Sequence, residues 1–324
     1  MTDVTSTTQT IPSLPTPPSP LTQEAFAAAL DAYFGDLAGL VGIAVHDFAT
    51  GADFTYHAEE IFPTASTLKV PLLYTLFQQA DAGKIDLSER ITLKHADRVP
   101  GSGVLQHMDE GLQPTLRDCA ELMIIVSDNW ATDIIWNRLG KETVSAALAA
   151  TGMANTSLPF TIHELFSALA EVDPADPATD YEFLRTYLKD YNPSPDNPAM
   201  AFDARNDTST PADMIRLLTL IDAGSGLDAE SRDAMLKIMK HQNFTTIIQG
   251  RLPTDQGIEA AHKTGSLRGV KNDIGIVTSP KAHYAIAFMS RGQEDIPEVV
   301  DRMARVSRWV YDALAAGAAP GEVA

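Results

Sequence analysis

Strand-like segments lie near both ends of this chain, and helical patterns fill its middle. Two short apolar runs, residues 41–47 and 53–57, flank an Ala-Thr-Gly turn, and two more, residues 272–279 and 283–290, flank a Pro-Lys turn. Each pair predicts a β-hairpin. The pattern from about residue 67 to residue 222 is mainly helical. This order predicts an α/β (α+β) architecture of two lobes, with an all-helical lobe inserted into a lobe built from both ends of the chain.

Helices are predicted on either side of the strand-forming segments. Thr22 is a predicted N-cap, and Phe26 and Leu30 follow it at helical spacing. A final helix carries an apolar face made of Val299, Met303, Val306, Val310 and Leu314. We therefore expect one domain over residues 22–316, with an antiparallel sheet and its two flanking helices in residues 22–65 and 246–316 and the helical lobe in residues 66–245. Residues 1–20 are rich in Pro, Thr and Ser, which predicts a poorly ordered tail.

Composition excludes several classes of function. The 324 residues carry a formal net charge of −19, which argues against nucleic acid or an anionic membrane surface as partner. Cys119 is the single cysteine, so an intrachain disulfide and a cysteine metal cluster are excluded. No apolar stretch approaches 18 residues, so we expect no membrane span. The N-terminal residues have no signal-peptide pattern, which predicts a cytoplasmic protein if Met1 is the natural start and an exported one if a leader was trimmed.

Three short motifs carry chemical information. Ser66-Thr67-Leu68-Lys69 places a hydroxyl and an amine one helical turn apart, on the same face. A serine hydroxyl is a weak nucleophile until a base removes its proton. Lys69 can act as that base if burial or a neighbouring cation keeps its amine neutral near pH 7. Backbone N–H groups at the start of the helix would then stabilise an oxyanion beside Ser66.

The second and third motifs supply the remaining groups of an acyl-transfer site. In Ser127-Asp128-Asn129, the serine would relay a proton to the leaving atom and Asn129 would bind a substrate amide. In the segment 263–266, Lys-Thr-Gly-Ser, Lys263 would add positive charge near that serine. The hydroxyls of Thr264 and Ser266 would bind a carboxylate.

Two neighbouring residues of the third motif are further candidates. Gly265 would let an extended substrate lie close to the strand backbone. Arg268 is either a carboxylate anchor or a solvated residue at the end of a strand.

Each motif alone has an ordinary explanation. Ser66 would serve as a helix cap, Lys69 as a solvated side chain, and the other motifs as turn or loop fragments. Composition gives each of the two tripeptides Ser-Asp-Asn and Lys-Thr-Gly odds of a few per cent, so all three motifs occur together by chance in roughly one chain per thousand. Their joint presence favours a shared chemical role.

The three motifs together resemble the signature of class A β-lactamases and penicillin-binding proteins. The resemblance extends to FPTASTLK at residues 62–69, TLRDCAELMIIVSDN at 115–129, NDTSTP at 206–211 and QGRLP at 249–253. It covers roughly residues 22–316. It implies the β-lactamase-like fold, a Ser66 acyl-enzyme and a small-molecule β-lactam or ester substrate, with no cofactor, acting as a monomer.

One part of the family pattern is missing. Class A β-lactamases hydrolyse the acyl-enzyme with a glutamate in a Glu-x-x-Leu-Asn pattern, which does not occur between the second motif and residue 210. Glu164 is the nearest candidate by position, although Thr161 and Glu164 also match a capping box that would turn the carboxylate back to the helix start. Glu182, Asp203 and Asp207 are further candidates.

No metal site is predicted. His163 lacks the Glu-x-x-His spacing that a zinc site would need, and the remaining histidines are scattered along the chain. His163 is therefore expected to be a surface or cap residue.

Three functions remain open from sequence alone. The first is a serine hydrolase that opens the β-lactam amide. The second is an esterase or D-alanyl peptidase on the same fold, which would acylate with β-lactams and release the product slowly because a second base is missing. The third is a non-catalytic binding module, although the intact Lys69 and Ser127 count against it.

Overall fold

A computed structural model describes residues 11–194 and 196–317 and contains one five-stranded antiparallel sheet. The strands are β1 (Leu40–Asp47), β2 (Asp53–Tyr56), β3 (Phe62–Pro63), β4 (Thr208–Ser209), β5 (Glu259–Leu267), β6 (Val270–Thr278) and β7 (His283–Arg291). The sheet has the order β2-β1-β7-β6-β5, and β3 and β4 form a separate two-stranded pair. Strand β1 pairs with β7 from Leu40↔Arg291 to Asp47↔Tyr284, so the two ends of the chain share one sheet, as predicted.

The helices surround this sheet and form the inserted lobe. They are α1 (Gln23–Phe34), α2 (Lys69–Asp81), α3 (Leu116–Ile125), α4 (Asn129–Leu139), α5 (Lys141–Thr151), α6 (Ile162–Leu169), α7 (Tyr181–Tyr187), α8 (Pro211–Asp222), α9 (Ala229–Lys240) and α10 (Ile296–Gly317). No helix of the described ranges is both long and apolar enough to cross a membrane.

Two apolar cores lie on opposite faces of the sheet. Alternate residues of the strands belong to different cores, because successive side chains of a strand point to opposite faces. Ile286 of β7 packs with the α1 and α10 layer, whereas its neighbours Ala285 and Ala287 pack with the helical lobe. Helix α8 contacts β1 and β7, so this helix of the inserted segment covers the sheet itself.

Threonine side chains cap α1 and α8, and the cap at Thr22 was predicted from sequence. Thr22 Oγ1 accepts a hydrogen bond from Ala25 N at 3.2 Å, and Thr210 Oγ1 accepts one from Asp213 N at 3.0 Å. These bonds satisfy backbone donors that have no partner inside the helix. The start of α1 was therefore predictable from local sequence, and α8 begins at a cap of the same kind.

The N-terminal segment differs from the predicted tail in its second half. Residues 1–10 lie outside the described part of the chain, whereas residues 11–20 lie against the α1 and α10 layer without forming a helix or strand. Trp309 Nε1 donates to Pro15 O at 2.8 Å, and Ile11 and Leu14 pack against that core. An extended proline-rich segment leaves its carbonyl groups free to accept such bonds.

A long segment between α6 and β4 separates the second motif from the third. Among the described residues it contains one α-helix, α7, whose N-cap Asp180 accepts from Phe183 N at 2.8 Å, and one short 3₁₀ helix, Pro198–Met200. The segment is closed at its base where Ser157 and Thr208 form a β-bridge and Phe160 N donates to Asp207 Oδ1 at 3.1 Å. This base lies directly beside the Ser66 turn, because Thr64 N donates to Asp207 O at 2.9 Å.

Candidate active site

Ser66 lies in a short 3₁₀ helix, Ala65–Leu68, that leads directly into α2. Ala65 has a φ of 45°, in the left-handed region, which is costly for a residue with a side chain. Ser66 is partly exposed, whereas Thr67 and Leu68 are buried. The chain thus presents this one hydroxyl at the surface of the cleft on a sharply turned segment.

Strand β5 holds the Ser66 turn from the other side. A Cβ atom on Gly265 would lie 2.8 Å from Thr64 O and 3.1 Å from Ser66 N, so only glycine allows this close approach. Asn272 Nδ2 on β6 donates to Pro63 O at 2.8 Å and to Thr64 O at 3.0 Å. Gly265 was predicted to give room to a substrate; in the structure it gives room to the turn that carries the serine.

Lys69 connects the first motif with the second. Its Nζ is fully buried and lies 2.7 Å from Ser127 O, 3.1 Å from Ser127 Oγ and 2.9 Å from Asn129 Oδ1. Ser127 has a φ of 56°, a strained conformation that turns both its carbonyl and its hydroxyl towards the amine. An ammonium group has three N–H donors, and these three acceptors use all of them.

Burial lowers the pKa of both motif lysines, Lys69 and Lys263. It lowers the pKa of Lys69 to about 7, although the carboxylates of Asp128 and Asp133 act in the opposite direction. Burial, together with repulsion from Lys69, also holds the pKa of Lys263 well below its usual range, against the attraction of Asp273. Lys69 can therefore lose its proton near neutral pH, which gives it a lone pair able to accept the proton of a nearby hydroxyl.

The second motif also fixes the loop that faces Ser66. Asp128 caps α4 through Ala131 N at 2.9 Å, and its other carboxylate oxygen accepts from Leu105 N at 2.8 Å. Asn129 Nδ2 donates to Pro100 O at 2.9 Å. One N–H of the Asn129 amide remains for the substrate amide that the sequence assigned to it.

Two cavities meet at Ser66. One, of about 260 Å³, extends towards α6, and the other, of about 310 Å³, extends along β5 and β6. Both are lined by Ser66, Ser102 and Ser266. We call the first the α6 cavity and the second the sheet cavity. Ser127, Thr264 and Gly265 line the sheet cavity alone, whereas Asn129 lines the α6 cavity alone.

Arg268 does not lie in the sheet cavity, where a carboxylate anchor was expected. Its guanidinium stacks over the Tyr191 ring at 4.8 Å and lies 3.6 Å from the Asp190 carboxylate, so it joins the long segment after α6. Lys271 takes the expected place. It pairs with Ser266 across the β5–β6 hairpin, donates to the Ser266 hydroxyl and lines the sheet cavity.

Lys271 was missed because no motif contains it. Its signal lies in strand register, because a tight turn at Arg268 and Gly269 places Lys271 directly opposite Ser266. Burial lowers the pKa of the Lys271 amine, which nevertheless remains partly exposed to the cavity.

The structure does not bring Glu164 to Ser66. Its Oε2 accepts from Thr161 N at 2.8 Å, which completes the capping box of α6, and its other oxygen lies 2.9 Å from Lys141 Nζ. It lines a separate groove of about 680 Å³ on the far side of α6. The local capping geometry directs this carboxylate away from the nucleophile, so Glu164 lines neither cavity at Ser66 and the structure gives its assignment as general base no support.

The carboxylates of the other acidic candidates also lie away from Ser66. Glu182 pairs with Arg185 at 2.7 Å, and Asp203 pairs with Arg205 at 2.8 Å. Asp207 is buried at the base of the long segment. Among the described residues, no Asp or Glu lines either cavity at Ser66.

The side of α6 that faces Ser66 is apolar instead. Ile162, Leu165, Phe166 and Leu169 line the α6 cavity at the i, i+3, i+4 and i+7 spacing of one helix face. Asp133 anchors this helix, because its buried carboxylate accepts from Ile162 N at 2.7 Å and from His163 N at 2.8 Å. Burial nevertheless raises the pKa of Asp133 to about 7.

The described residues contain no group of three His, Cys, Asp or Glu placed to hold a metal ion. His163 lies at the start of α6, and its ring Nε2 is 3.2 Å from Thr179 O. The cap or surface role expected for this histidine agrees with that position.

A buried pair lies under the third motif. His262 Nδ1 is 2.8 Å from Asp273 Oδ1, and both side chains are fully buried on the face of the sheet opposite Lys263. Asp273 Oδ2 accepts from Ile248 N at 2.9 Å, and Ser307 Oγ of α10 donates to Ile248 O at 2.8 Å. The pair thus connects β5 and β6 to the segment that supplies Ile247 to the sheet cavity.

Comparisons with known proteins identify the family of this chain. The model of the beta-lactamase enzyme family matches residues 24–314. Beta-lactamase 3 of Bacillus cereus is 27% identical over 266 residues, which are 81% of this chain and 73% of that protein. A beta-lactamase of Sphaerobacter thermophilus has a crystal structure that superposes with a TM-score of 0.75 at 28% identity, covering 91% of this chain and 98% of that one.

A second structural relative carries a covalent ligand. A variant of PBP-A, solved as an acyl-enzyme complex with penicillin G, superposes with a TM-score of 0.72 at 27% identity and covers 91% of this chain and 98% of its own. The family model spans most of the present chain, and the fold and motifs agree with it. The chain therefore belongs to the beta-lactamase enzyme family and is a class A β-lactamase-like serine hydrolase.

Proposed function

We propose that the protein opens the β-lactam amide by forming an acyl-enzyme at Ser66 and hydrolyses that acyl-enzyme slowly. The observation that carries the proposal is the difference between the polar residues on one side of Ser66 and the apolar residues on the other. Lys69 and Ser127 lie 3.1 Å apart with their polar atoms in contact, whereas the face of α6 towards Ser66 is apolar. The contact between Lys69 and Ser127 supports proton transfer during acylation, and the α6 residues that line the cavity at Ser66 offer no base for deacylation.

Acylation would use the contact between Lys69 and Ser127 to return a proton to Ser127. Ser66 Oγ attacks the lactam carbonyl carbon while neutral Lys69 accepts the hydroxyl proton. Backbone N–H groups of Ser66 and Ser266 would hold the oxyanion. The C–N bond then breaks, Ser127 protonates the nitrogen, and Lys69 returns the proton to Ser127 across the 3.1 Å contact.

Lys271 favours an anionic substrate. Lys271 and Thr264 line the sheet cavity on the same side of Ser66 as Ser127. A carboxylate next to the leaving nitrogen would contact both residues, and its hydrogen bond with the Lys271 amine would be charge-assisted.

Slow release follows from the missing base. Hydrolysis of the acyl-enzyme needs a positioned water molecule and a group that accepts its proton. The wall formed by α6 offers Ile162, Leu165 and Phe166 to that space, and Glu164 points away. Related PBP-A has been trapped as a penicillin G acyl-enzyme in a variant form, which supports a covalent adduct of this type.

Intact mass spectrometry with penicillin G tests the proposal. We expect one drug molecule to be added to wild-type protein at Ser66, close to one drug consumed per protein over minutes, and no adduct on Ser66→Ala. Many drug molecules consumed per protein would instead establish an efficient β-lactamase. No adduct would exclude penicillins as substrates and would favour an ester substrate or a non-catalytic binder.

A further inference from the structure

Asp133 is a buried acid that none of the three motifs contains. It lies on α4, four residues after Asn129, so the two side chains share one face of the helix. Asn129 Oδ1 lies 2.9 Å from Lys69 Nζ. The helix therefore places the carboxylate of Asp133 on the side of α4 that faces the Lys69 amine.

Asp133 acts on Lys69 by charge and not by contact. All three N–H donors of the Lys69 ammonium are used by oxygen atoms of the second motif. The oxygens of Asp133 accept instead from two backbone groups at the start of α6, Ile162 N at 2.7 Å and His163 N at 2.8 Å. These bonds hold the carboxylate against α6, so its charge reaches Lys69 through space.

Burial makes this interaction between charges effective. Asp133 is 5% exposed and Lys69 is fully buried, so little water screens the two groups. A negative charge nearby stabilises the ammonium form of a lysine, and a positive charge stabilises a carboxylate. Burial lowers the pKa of Lys69 and raises that of Asp133, and the attraction between the two charges acts against burial in both cases.

Further charged groups face the two residues. Asp128 acts on Lys69 in the same direction as Asp133, and Glu164 of α6 opposes ionisation of Asp133. Asp128 also caps α4 and holds the loop that faces Ser66, so its charge cannot be removed without disturbing that loop. The remaining groups are Asp207, which Asp133 repels, Lys263, which Lys69 repels, and the charged or titratable side chains of the groove on the far side of α6, namely Lys94, Asp97, Arg138 and His163.

We propose that Asp133 is a positioning residue for acylation: its carboxylate, held by α6, sets the pH at which Lys69 becomes the base for Ser66. The inference rests on the proposed acylation of Ser66 and adds a residue that adjusts the base without touching the substrate. While Asp133 is ionised, Lys69 keeps its proton to a higher pH. When Asp133 is neutral, Lys69 loses its proton at a lower pH.

Asp133→Asn removes the charge and keeps the size of the side chain, and its amide oxygen can still accept from α6. We expect the midpoint of the pH profile of penicillin G acylation to move about one pH unit lower. The less basic amine of Lys69 also removes a proton less readily, so the variant should acylate faster than wild-type protein at about pH 5.5 and more slowly at about pH 8.5. A merely structural role of Asp133 would lower the rate at every pH and leave the midpoint unmoved.

Asp97→Asn is the matched control. Asp97 lines the groove on the far side of α6, as Asp133 does, but its side chain is exposed. Solvent and salt screen its charge, so the midpoint should stay within about 0.2 pH unit of that of wild-type protein. An equal shift in both variants would overturn the proposal, because the effect would then follow net charge and not the buried carboxylate.

The interaction is reciprocal, which gives a test that needs neither a substrate nor a folded Asp133→Asn variant. Lys69→Met removes the lysine charge, so the Asp133 carboxyl should lose its proton about one pH unit higher than in wild-type protein. An NMR titration of the Asp133 Cγ resonance, in protein labelled with ¹³C at the aspartate carboxyls, measures this shift.

The two measurements separate this inference from the proposed function. An unmoved midpoint in Asp133→Asn, or an unmoved Asp133 titration in Lys69→Met, would overturn the role of Asp133 and leave the acyl-enzyme intact. No penicillin G adduct on wild-type protein would overturn the proposed function. The NMR titration would still decide whether Asp133 and Lys69 are coupled.

Discussion

At the scale of single residues, the site depends on two buried lysines whose charged forms are destabilised by burial. Lys69 and Lys263 are both fully buried, and they repel each other. Desolvation makes the neutral amine of Lys69 accessible near pH 7, which a solvated lysine would not allow. Burial is therefore what allows Lys69 to act as a base, and the sequence of the first motif does not show that burial.

This predicts a pH profile for acylation. Because the base is the neutral form of Lys69, the acylation rate should rise about tenfold per pH unit below about pH 7 and become level above it. Stopped-flow measurement of penicillin acylation from pH 5 to pH 9 gives the profile. A rate that is independent of pH over this range would show that Lys69 is not the base.

A second prediction at this scale concerns Lys271. Lys271→Gln removes the cation that faces the sheet cavity, so acylation by an anionic penicillin should fall roughly tenfold while a neutral ester stays within about twofold. Lys281→Gln, at an exposed lysine in the β6–β7 turn, is the matched control. Equal losses with the anionic and the neutral substrate would argue against a carboxylate contact.

At the scale of elements, local sequence predicted strands and a helix start. The positions of individual site residues depend on tertiary packing. Thr22, Thr115 and Thr210 each cap a helix where a threonine precedes an apolar repeat. The role of Glu164 could not be separated from capping until its contact with Thr161 was placed in space. Lys271 was not predicted because its position opposite Ser266 depends on the pairing register of β5 and β6.

The base of the long segment gives a prediction of its own. Asp207 is buried, its Oδ2 has no hydrogen-bond partner among the described residues, and burial raises its pKa well above the usual range. A carboxyl with a raised folded-state pKa contributes stability below its unfolded pKa, near 4, and this contribution is lost as the pH rises through the folded pKa. Asp207→Asn cannot ionise and should avoid that loss.

Urea unfolding at pH 5 and pH 8 measures this effect. The free energy of unfolding of Asp207→Asn minus that of wild-type protein should be more positive at pH 8 than at pH 5. Asp203→Asn, whose carboxylate forms an exposed pair with Arg205, is the control and should show no such gain at pH 8. A difference that is independent of pH would mean that Asp207 is already ionised at pH 5.

At the scale of the whole molecule, the site lies where the two lobes meet. Ser66 and Lys69 enter from the start of the helical lobe, Ser127 from its middle, and Lys263 from the sheet formed by both ends of the chain. The order of the motifs indicated that they belong together, and the resemblance gave the fold. The apolar lining of the α6 cavity was not predictable, because it depends on how α6 and the segment after α7 pack against the nucleophile.

The buried pair beneath the third motif couples the sheet to the α10 layer. Asp273→Ala would leave His262 buried without its partner and Ile248 N without an acceptor, so the protein should lose about 3 kcal/mol of unfolding free energy. Chemical denaturation measures the loss against Asp255→Ala, at an exposed aspartate. A loss no larger than that of the control would show that this contact adds little.

We propose that Ser66 acylates readily and that the apolar face of α6 prevents rapid deacylation. The most direct measurement is the decay of the penicillin G adduct by intact mass spectrometry after free drug is removed, in wild-type protein, Ile162→Glu and Glu164→Gln. Ile162 is the buried first residue of α6 and lines the α6 cavity, so a glutamate there would place a carboxylate on the side of Ser66.

We expect a persistent adduct in wild-type protein and in Glu164→Gln, and an adduct that decays at least about tenfold faster in Ile162→Glu. Rapid loss of the adduct from wild-type protein, abolished by Glu164→Gln, would contradict the account and make Glu164 the general base.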